Sequence, residues 1–285
     1  MIRILKAPPF LTIQDLGRRG FRKIGVPLSG AMDRWAITRA NALVGNPEDA
    51  AAFEWALGGG AIACDTDCVI ALAGATVEIN GKSAGGAAGS TFELEKRQRL
   101  EITRVVRGRF AYLSVSGGID LPRALGSRST YLPARIGGLD GRLLQGGDAL
   151  PIGNSGRSAV DATESDTHDA PNYEDDRIRV IPFADGVGAS ARDRFFAGEY
   201  KVSPQSDRSG YRLDCAPIPV QSRATLSAAV CPGTIQLPPG GSPILLMADA
   251  PTIGGYPIVG VVCAADLPII AQKEPGQSIS FIRDA

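Results

Sequence analysis

The sequence predicts a mainly β fold, a barrel or sandwich of short strands with a few short helices and two β-rich halves. Three observations predict it. Gly and Pro are abundant, 35 and 20 of 285 residues, as they are where many strands meet at turns. Apolar strand-like runs recur along the whole chain, most of them bounded by Gly, Pro, Asn or Asp, the residues that supply turn geometry. Helical periodicity is confined to a few short segments, and nothing alternates strand and helix in the manner of βαβ units.

In chain order, a helix comes first. From Asp33 to Val44 the spacing puts Ala36, Ile37, Ala40, Leu43 and Val44 on one face, with Asp33 placed to cap the start and Gly45 to end it in a left-handed conformation. Strands are expected over Cys68–Ala73, Thr91–Leu94, Leu100–Val106 and Phe110–Val115. Val77-Glu78-Ile79 followed by Asn80-Gly81 signals a hairpin, because Asn-Gly accepts the positive φ values of a type I′ turn. Later strands fall at Ile178–Phe183, Ala224–Val230, Pro243–Met247, Ile258–Cys263 and Ser278–Ile282, with a short helix from Ala189 to Ala197 and a further turn starting at Asp266. Between Asn154 and Asp176 apolar residues thin out in favour of Ser, Asp, Glu and Thr. The expected organisation is therefore an N-terminal half over 1–153, a polar connector over 154–176 and a C-terminal half over 177–285.

Composition excludes several function classes. Thirty basic and thirty acidic side chains cancel, so no net field favours nucleic acid or an anionic membrane. The longest weakly polar stretch, Tyr256 to Gln272, is interrupted by Asp266 and Pro268, so no segment is expected to span a bilayer. The opening residues have neither a long apolar run nor a small-residue cleavage site, and five scattered cysteines make no disulfide framework; a cytoplasmic protein with buried structural thiols is expected. Cys64 and Cys68 are the one close pair, with no third ligand nearby to complete a zinc site, so no metal is expected. The single histidine, His168, sits in a polar stretch, which leaves proton transfer to Asp, Glu, Lys, Tyr, water or a partner's residues.

Three glycine patterns suggest nucleotide binding and fail on context. Asn80-Gly81-Lys82-Ser83 lacks the first glycine of a phosphate-binding loop, since position 76 is Thr76, and it lies in a hairpin. Gly186-Val187-Gly188 precedes a helix, and Asp207 lies about twenty residues on, but no second βα unit follows. Gly137-Gly138-Leu139-Asp140-Gly141-Arg142 and Gly146-Gly147-Asp148 read as tight turns, or as loops that let backbone amides approach an anion. Arg outnumbers Lys by 24 to six, which suits carboxylate and phosphate recognition and follows equally from a GC-rich coding sequence.

Four blocks concentrate polar residues between glycines: TIQDLGRRGFRKIGVPLSGAMDRWAITRANALVGN (Thr12–Asn46), YLSVSGGIDLPRALGSRST (Tyr112–Thr130), SDRSGYRL (Ser206–Leu213) and GTIQLPPGGSPILLMADAPTIGGYP (Gly233–Pro257). In this order they resemble the family of KipA and the C subunits of 5-oxoprolinase, the allophanate hydrolase subunit 2 module of biotin-dependent carboxyltransferases, from Thr12 to Phe281. The resemblance implies a cyclophilin-like β-barrel architecture. It implies a subunit-B/KipI-like partner (allophanate hydrolase subunit 1) and a LamB/YcsF-like third chain (the A component), which together open 5-oxoproline to glutamate at the expense of ATP. Two alternatives stay open: carboxyl transfer from carboxybiotin to urea or a related amide, and a non-catalytic role as regulatory partner of a KipI-like protein. No Met-Lys-Met site is present, so biotin is not attached to this chain, and ATP is expected in the assembled complex.

A five-membered lactam is a stable amide, and phosphorylating its oxygen would turn it into an activated imidate. Such chemistry calls for cationic donors around a developing oxyanion and a carboxylate to move protons. Asp15, Arg18, Arg128, Asp207 and Arg208 lie in the matching blocks with those chemical types and are the candidate catalytic residues; Ser29, Ser127, Thr130 and Tyr256 are the candidate substrate-binding residues. Each has a structural alternative: Asp15 as a turn cap, Asp207 with Arg208 as an ion pair, Ser29 with Asp33 as helix caps, Ser127, Arg128 and Thr130 as an anion-binding nest or a satisfied turn, and Tyr256 as packing. The family's final block more often has Gln and Thr where this chain has Pro251 and Ile253, and an acidic residue often found before it is missing from Ser227–Cys231. Lost polar contacts of this kind bear on substrate selectivity.

Overall fold

The structure is a computed structural model and describes residues 1–154, 170–183, 187–220 and 226–284. The chain forms two compact units, Met1–Arg18 with Ser29–Pro171, and Arg19–Leu28 with Asn172–Ala285. Most of the polar connector, residues 155–169 with His168, lies outside the described residues, as do Gly186 and the first part of the strand expected over Ala224–Val230.

The first unit contains β1 (Ile2–Lys6), β2 (Phe10–Gln14), α1 (Arg34–Leu43), β3 (Ala52–Ala56), β4 (Gly60–Cys64), β5 (Cys68–Ile79), β6 (Lys82–Gly85), β7 (Ser90–Leu94), β8 (Arg99–Val115) and β9 (Ala149–Leu150). Among the described residues the strands form one nine-stranded sheet in the order β2-β3-β8-β4-β1-β9, with β5 also on β8 and carrying β6 and β7. The Asn-Gly hairpin is present: Ile79 faces Lys82 across a turn with φ of 50° at Asn80 and 74° at Gly81. The two strands expected over 100–106 and 110–115 are one long strand, and Cys68–Ala73 continues through Val77–Ile79 into a single β5. Register shifts on β5 between Gly74 and Thr76, and again before Val77, take up the irregularity that suggested breaks in the sequence.

Side chains on a strand alternate between faces, and along β3, most of β2 and the end of β8 both faces are buried. Leu11, Ile13, Phe53, Trp55, Ala111 and Leu113 belong to the apolar core. Their neighbours Thr12, Gln14, Glu54, Tyr112 and Ser114 face the other way and are just as buried. Helix α1 covers that polar face at Ser114, whose hydroxyl donates to Asn41 Oδ1 at 2.8 Å. As expected, Asp33 caps α1, its carboxylate accepting from the Ala36 amide at 2.9 Å, and Gly45 follows with φ of 71°.

The second unit contains β10 (Arg177–Pro182), α2 (Ala189–Ala197), β11 (Glu199–Val202), β12 (Gly210–Asp214), β13 (Ala228–Ala229), β14 (Thr234–Gln236), β15 (Ile244–Leu246), β16 (Ile253–Gly254), β17 (Ile258–Val262), α3 (Leu267–Ala271) and β18 (Ser278–Arg283). Seven of them close a barrel in the order β10-β17-β14-β15-β12-β11-β18, sealed by parallel pairing of β10 with β18. Phe195 of α2 stacks on Phe281 with centroids 4.8 Å apart, and Tyr200 meets the edge of Phe281 at 5.2 Å. The Tyr200 hydroxyl donates to the Phe195 carbonyl at 2.7 Å, so the buried ring keeps its polar tip satisfied.

Of the five cysteines, all expected to be buried, only Cys64 is; Cys68, Cys215 and Cys263 are partly exposed and Cys231 is exposed, because strand ends and loops carry them. No described helix is long and apolar enough to cross a membrane. Phe281→Ala removes the ring shared by α2 and the barrel strands and is expected to destabilise the protein by about 3–5 kcal/mol in denaturant unfolding, with little collapse into the cavity.

Candidate functional site

Asp15 lies one residue beyond β2, where the chain turns through Gly17. Its Oδ1 accepts from the Gly17 amide at 2.8 Å, the Ser127 hydroxyl at 2.7 Å and the Ser129 hydroxyl at 2.5 Å, and its Oδ2 accepts from the Arg128 amide at 2.6 Å. In return the Asp15 amide donates to Ser129 Oγ at 3.0 Å, and the Asp15 carbonyl accepts from the Ala31 amide at 2.9 Å. The Ser127–Thr130 loop is thus a nest for an anion, and the anion it holds is this chain's own carboxylate. Thr130 continues the attachment, its amide donating to the Ile13 carbonyl at 2.8 Å and its carbonyl accepting from Gln14 Nε2 at 3.2 Å and from the Ser29 hydroxyl at 3.4 Å. Arg18 is fully buried and donates to the Ser129 carbonyl.

The first glycine-rich loop backs this arrangement. The Gly138 amide donates to the Arg128 carbonyl at 2.8 Å. A Cβ on Gly137 would lie 2.1 Å from the Ser129 carbonyl oxygen, and one on Gly138 would lie 2.1 Å from Thr130 Oγ1, so the two backbones approach this closely only with glycine. Arg142 closes the loop with two hydrogen bonds to the Asp148 carboxylate, both at 2.8 Å. That guanidinium, against the opposing effect of burial, holds the Asp148 carboxyl below its ordinary range.

The Ser29–Asp33 segment lies beside the clamp. Ser29 has φ of 56°, a left-handed conformation that is uncommon for a side-chain-bearing residue, and Gly30 follows at 90°. Beyond them the Met32 amide donates to Glu54 Oε2 at 2.9 Å, the Asp33 amide donates to the Tyr112 hydroxyl at 2.8 Å, and that hydroxyl donates to Glu54 Oε2 at 2.7 Å. Burial, and then the charges of Glu54 and Asp33, push the Tyr112 hydroxyl well above its ordinary range.

In the second unit Asp207 and Arg208, adjacent in sequence and read as a possible ion pair, part company. Arg208 forks onto Asp249, Nε to Oδ2 at 2.8 Å and Nη2 to Oδ1 at 3.1 Å, with both side chains buried. Asp207 is exposed and caps a turn, accepting from the Ser209 and Gly210 amides at 2.8 and 3.2 Å. Tyr256 is 47% exposed, so it packs no core. Pro251 and Ile253 are exposed as well.

The model of the carboxyltransferase domain, subdomain A and B, matches residues 24–283. The chain belongs to that family. It is 39% identical to the 5-oxoprolinase C subunit of Escherichia coli, over 99% of this chain and 91% of that protein. To the 5-oxoprolinase C subunit of Haemophilus influenzae it is 38% identical, over 99% and 90%. The crystal structure of the K. lactis urea amidolyase superimposes with a TM-score of 0.89 at 29% identity; it covers the whole of this chain, which spans 19% of the amidolyase. The mainly β, barrel-containing architecture expected from the sequence is that of this carboxyltransferase domain.

Within this carboxyltransferase-family chain the structure brings Asp15, Arg18, Ser29, Ser127 and Thr130 together in the first unit. The Arg128 amide joins them, while its guanidinium turns to Asp120 and the Leu121 carbonyl. Asp207, Arg208 and Tyr256 belong to the second unit. Sequence reasoning passed over Ser129, Gln14, Glu54, Tyr112 and Asp249. Glu54 carried a readable signal, a lone acid inside the otherwise apolar run Ala52–Ala56. Among the described residues no donor reaches Gln14 Oε1 and no acceptor reaches Gln236 Nε2, although both are buried.

Two outcomes follow from these contacts. Asp249→Ala removes the carboxylate onto which the buried Arg208 forks and is expected to cost about 3–5 kcal/mol in unfolding experiments, whereas Asp207→Ala removes a turn cap and is expected to cost about 1 kcal/mol. A carboxyl held below its ordinary value contributes stability that is present at neutral pH and lost as pH falls through the carboxylate range. The stability difference between the wild type and Asp148→Asn is therefore expected to shrink as pH is lowered from about 6 to about 2.

Proposed function

We propose that this chain is the C subunit of an ATP-dependent 5-oxoprolinase that opens 5-oxoproline to glutamate together with subunit-B/KipI-like and LamB/YcsF-like chains. One observation carries the reading: the likeness to the E. coli 5-oxoprolinase C subunit runs nearly end to end through both proteins. The likeness to the K. lactis urea amidolyase is at lower identity, 29%, and covers 19% of that chain.

The geometry supports a division of roles among the candidate residues. Asp15, its Oδ1 already accepting three hydrogen bonds, positions the Ser127–Thr130 loop instead of moving protons. Arg128, its guanidinium on Asp120 with 19% of its side chain exposed, and the buried Arg18 are the cations beside that loop, while the hydroxyls of Ser29, Ser127 and Thr130 are buried and bonded within it. In the second unit Asp207 is the carboxylate open to solvent, Arg208 is held as a cation by Asp249, and Tyr256 offers an exposed hydroxyl. Of the glycine-rich loops, Asn80-Gly81 is a hairpin turn and Gly137-Gly138 packs against Ser129 and Thr130, so neither of these two is a phosphate cradle. This supports reading ATP binding as a partner chain's role, and the lack of a Met-Lys-Met site supports reading biotin as carried elsewhere.

The likeness to a urea amidolyase favours carboxyl transfer to urea as the second reading. Reconstitution decides between them. Purified alone, the chain is expected to release no glutamate from 5-oxoproline and ATP. With both partner chains, amino-acid analysis is expected to detect glutamate in step with ADP. Glutamate release by the single chain would contradict the dependence on partners. Carboxylation of urea with a biotinylated carrier, without lactam opening, would replace this reading by the second one.

A further inference from the structure

Three successive main-chain amides of the segment after Ser29 are each held by a different partner: Ala31 by the Asp15 carbonyl, Met32 by Glu54 Oε2, and Asp33 by the Tyr112 hydroxyl, at 2.9, 2.9 and 2.8 Å. The last two partners stand opposite each other on neighbouring strands, Glu54 of β3 facing Tyr112 of β8. They are tied by the 2.7 Å bond from the tyrosine hydroxyl. The direction of that bond is fixed. Because the Asp33 N–H is a donor, the hydroxyl accepts from it and must give its own proton to Glu54.

Neither side chain has any exposure, and each takes the place of an apolar residue on a sheet whose other face is packed with Leu11, Phe53, Trp55 and Leu113. Burying a carboxylate and a hydroxyl is a poor route to stability, since apolar groups of the same volume commonly do as well or better. Such groups do fix geometry, because a satisfied buried network admits one arrangement. Two residues before the first held amide stands Ser29 at φ of 56°, a conformation that persists where its surroundings over-determine it.

We infer that Glu54 and Tyr112 are positioning residues: by holding the Met32 and Asp33 amides they keep Ser29 left-handed and so set where its buried hydroxyl, which donates to the Thr130 carbonyl, stands at the loop. This rests on the reading above that Ser29 contacts the substrate, and it adds the device that places it.

The test is a double-mutant cycle in the reconstituted three-chain enzyme, with KM for 5-oxoproline and kcat determined separately. Ser29→Ala and Tyr112→Phe are each expected to raise KM about tenfold with a smaller change in kcat. The double variant is expected to be no more than about twofold worse than either, because both act through one hydroxyl. A merely structural tyrosine would lower the melting temperature and leave KM within twofold, and that result overturns the inference. An additive loss of about a hundredfold in the double variant also overturns it. If Ser29→Ala itself leaves KM unchanged, the substrate-contact reading fails and the positioning role goes with it. Glu54→Gln, which conserves volume, takes the place of Tyr112→Phe in the same cycle should the latter not fold.

Discussion

The first unit depends on where one negative charge sits. A carboxylate has about four lone-pair directions, and Asp15 fills most of its capacity with four donors from its own turn and from the Ser127–Ser129 loop. Segments more than a hundred residues apart in sequence are joined through one group. Hydrogen bonds to a charged acceptor are about twice as strong as neutral ones, and the site is nearly dry, so the arrangement is worth more than a tally of contacts suggests. The glycine pair behind the loop and the Ala31 amide beside it take their places relative to that centre.

The sheet that carries Asp15 solves an unusual packing problem. One face is an ordinary apolar core; the other is a buried row of Thr12, Gln14, Glu54, Tyr112 and Ser114. Each of these side chains finds backbone or side-chain partners in α1, in the loop leading to it, in the Ser127–Thr130 loop or within the row itself. The consequence is that α1 and the loops are attached to the sheet by directional bonds as well as by apolar contact, Leu43 of α1 packing with Ala71 of β5. The second unit instead stacks an aromatic ring of α2 on one of β18, and it carries the arginine forks of Arg208 on Asp249 and Arg179 on Asp266.

Much of the fold was legible in the sequence, and the exceptions have physical causes. Helix α1 was readable to within a residue because a capping Asp, a helical stripe and a terminal glycine all agreed. The Asn80-Gly81 turn was readable because its chemistry is local. Strands β2, β3 and β4 were not, since a strand buried on both faces shows no alternation. In Phe10–Gln14 and Ala52–Ala56 polar residues occupy the inward positions of the second face. The candidate site was legible by block and not by contact. Asp15, Ser127 and Thr130 were named from one pattern, but that the loop's anion is Asp15 itself depends on a pairing across 112 residues that no spacing rule reveals. Arg208 was assigned to its sequence neighbour Asp207, while the fold supplied Asp249, 41 residues on.

The account stands on the Asp15 carboxylate holding two distant segments at once. Amide hydrogen exchange at Gly17 and Arg128 reads this directly, since both N–H groups donate to that one side chain. In Asp15→Ala both amides are predicted to lose protection together, while amides in the β18 barrel strand keep theirs. Unchanged protection at Arg128 in the folded variant would show that the loop holds itself, and would contradict the account.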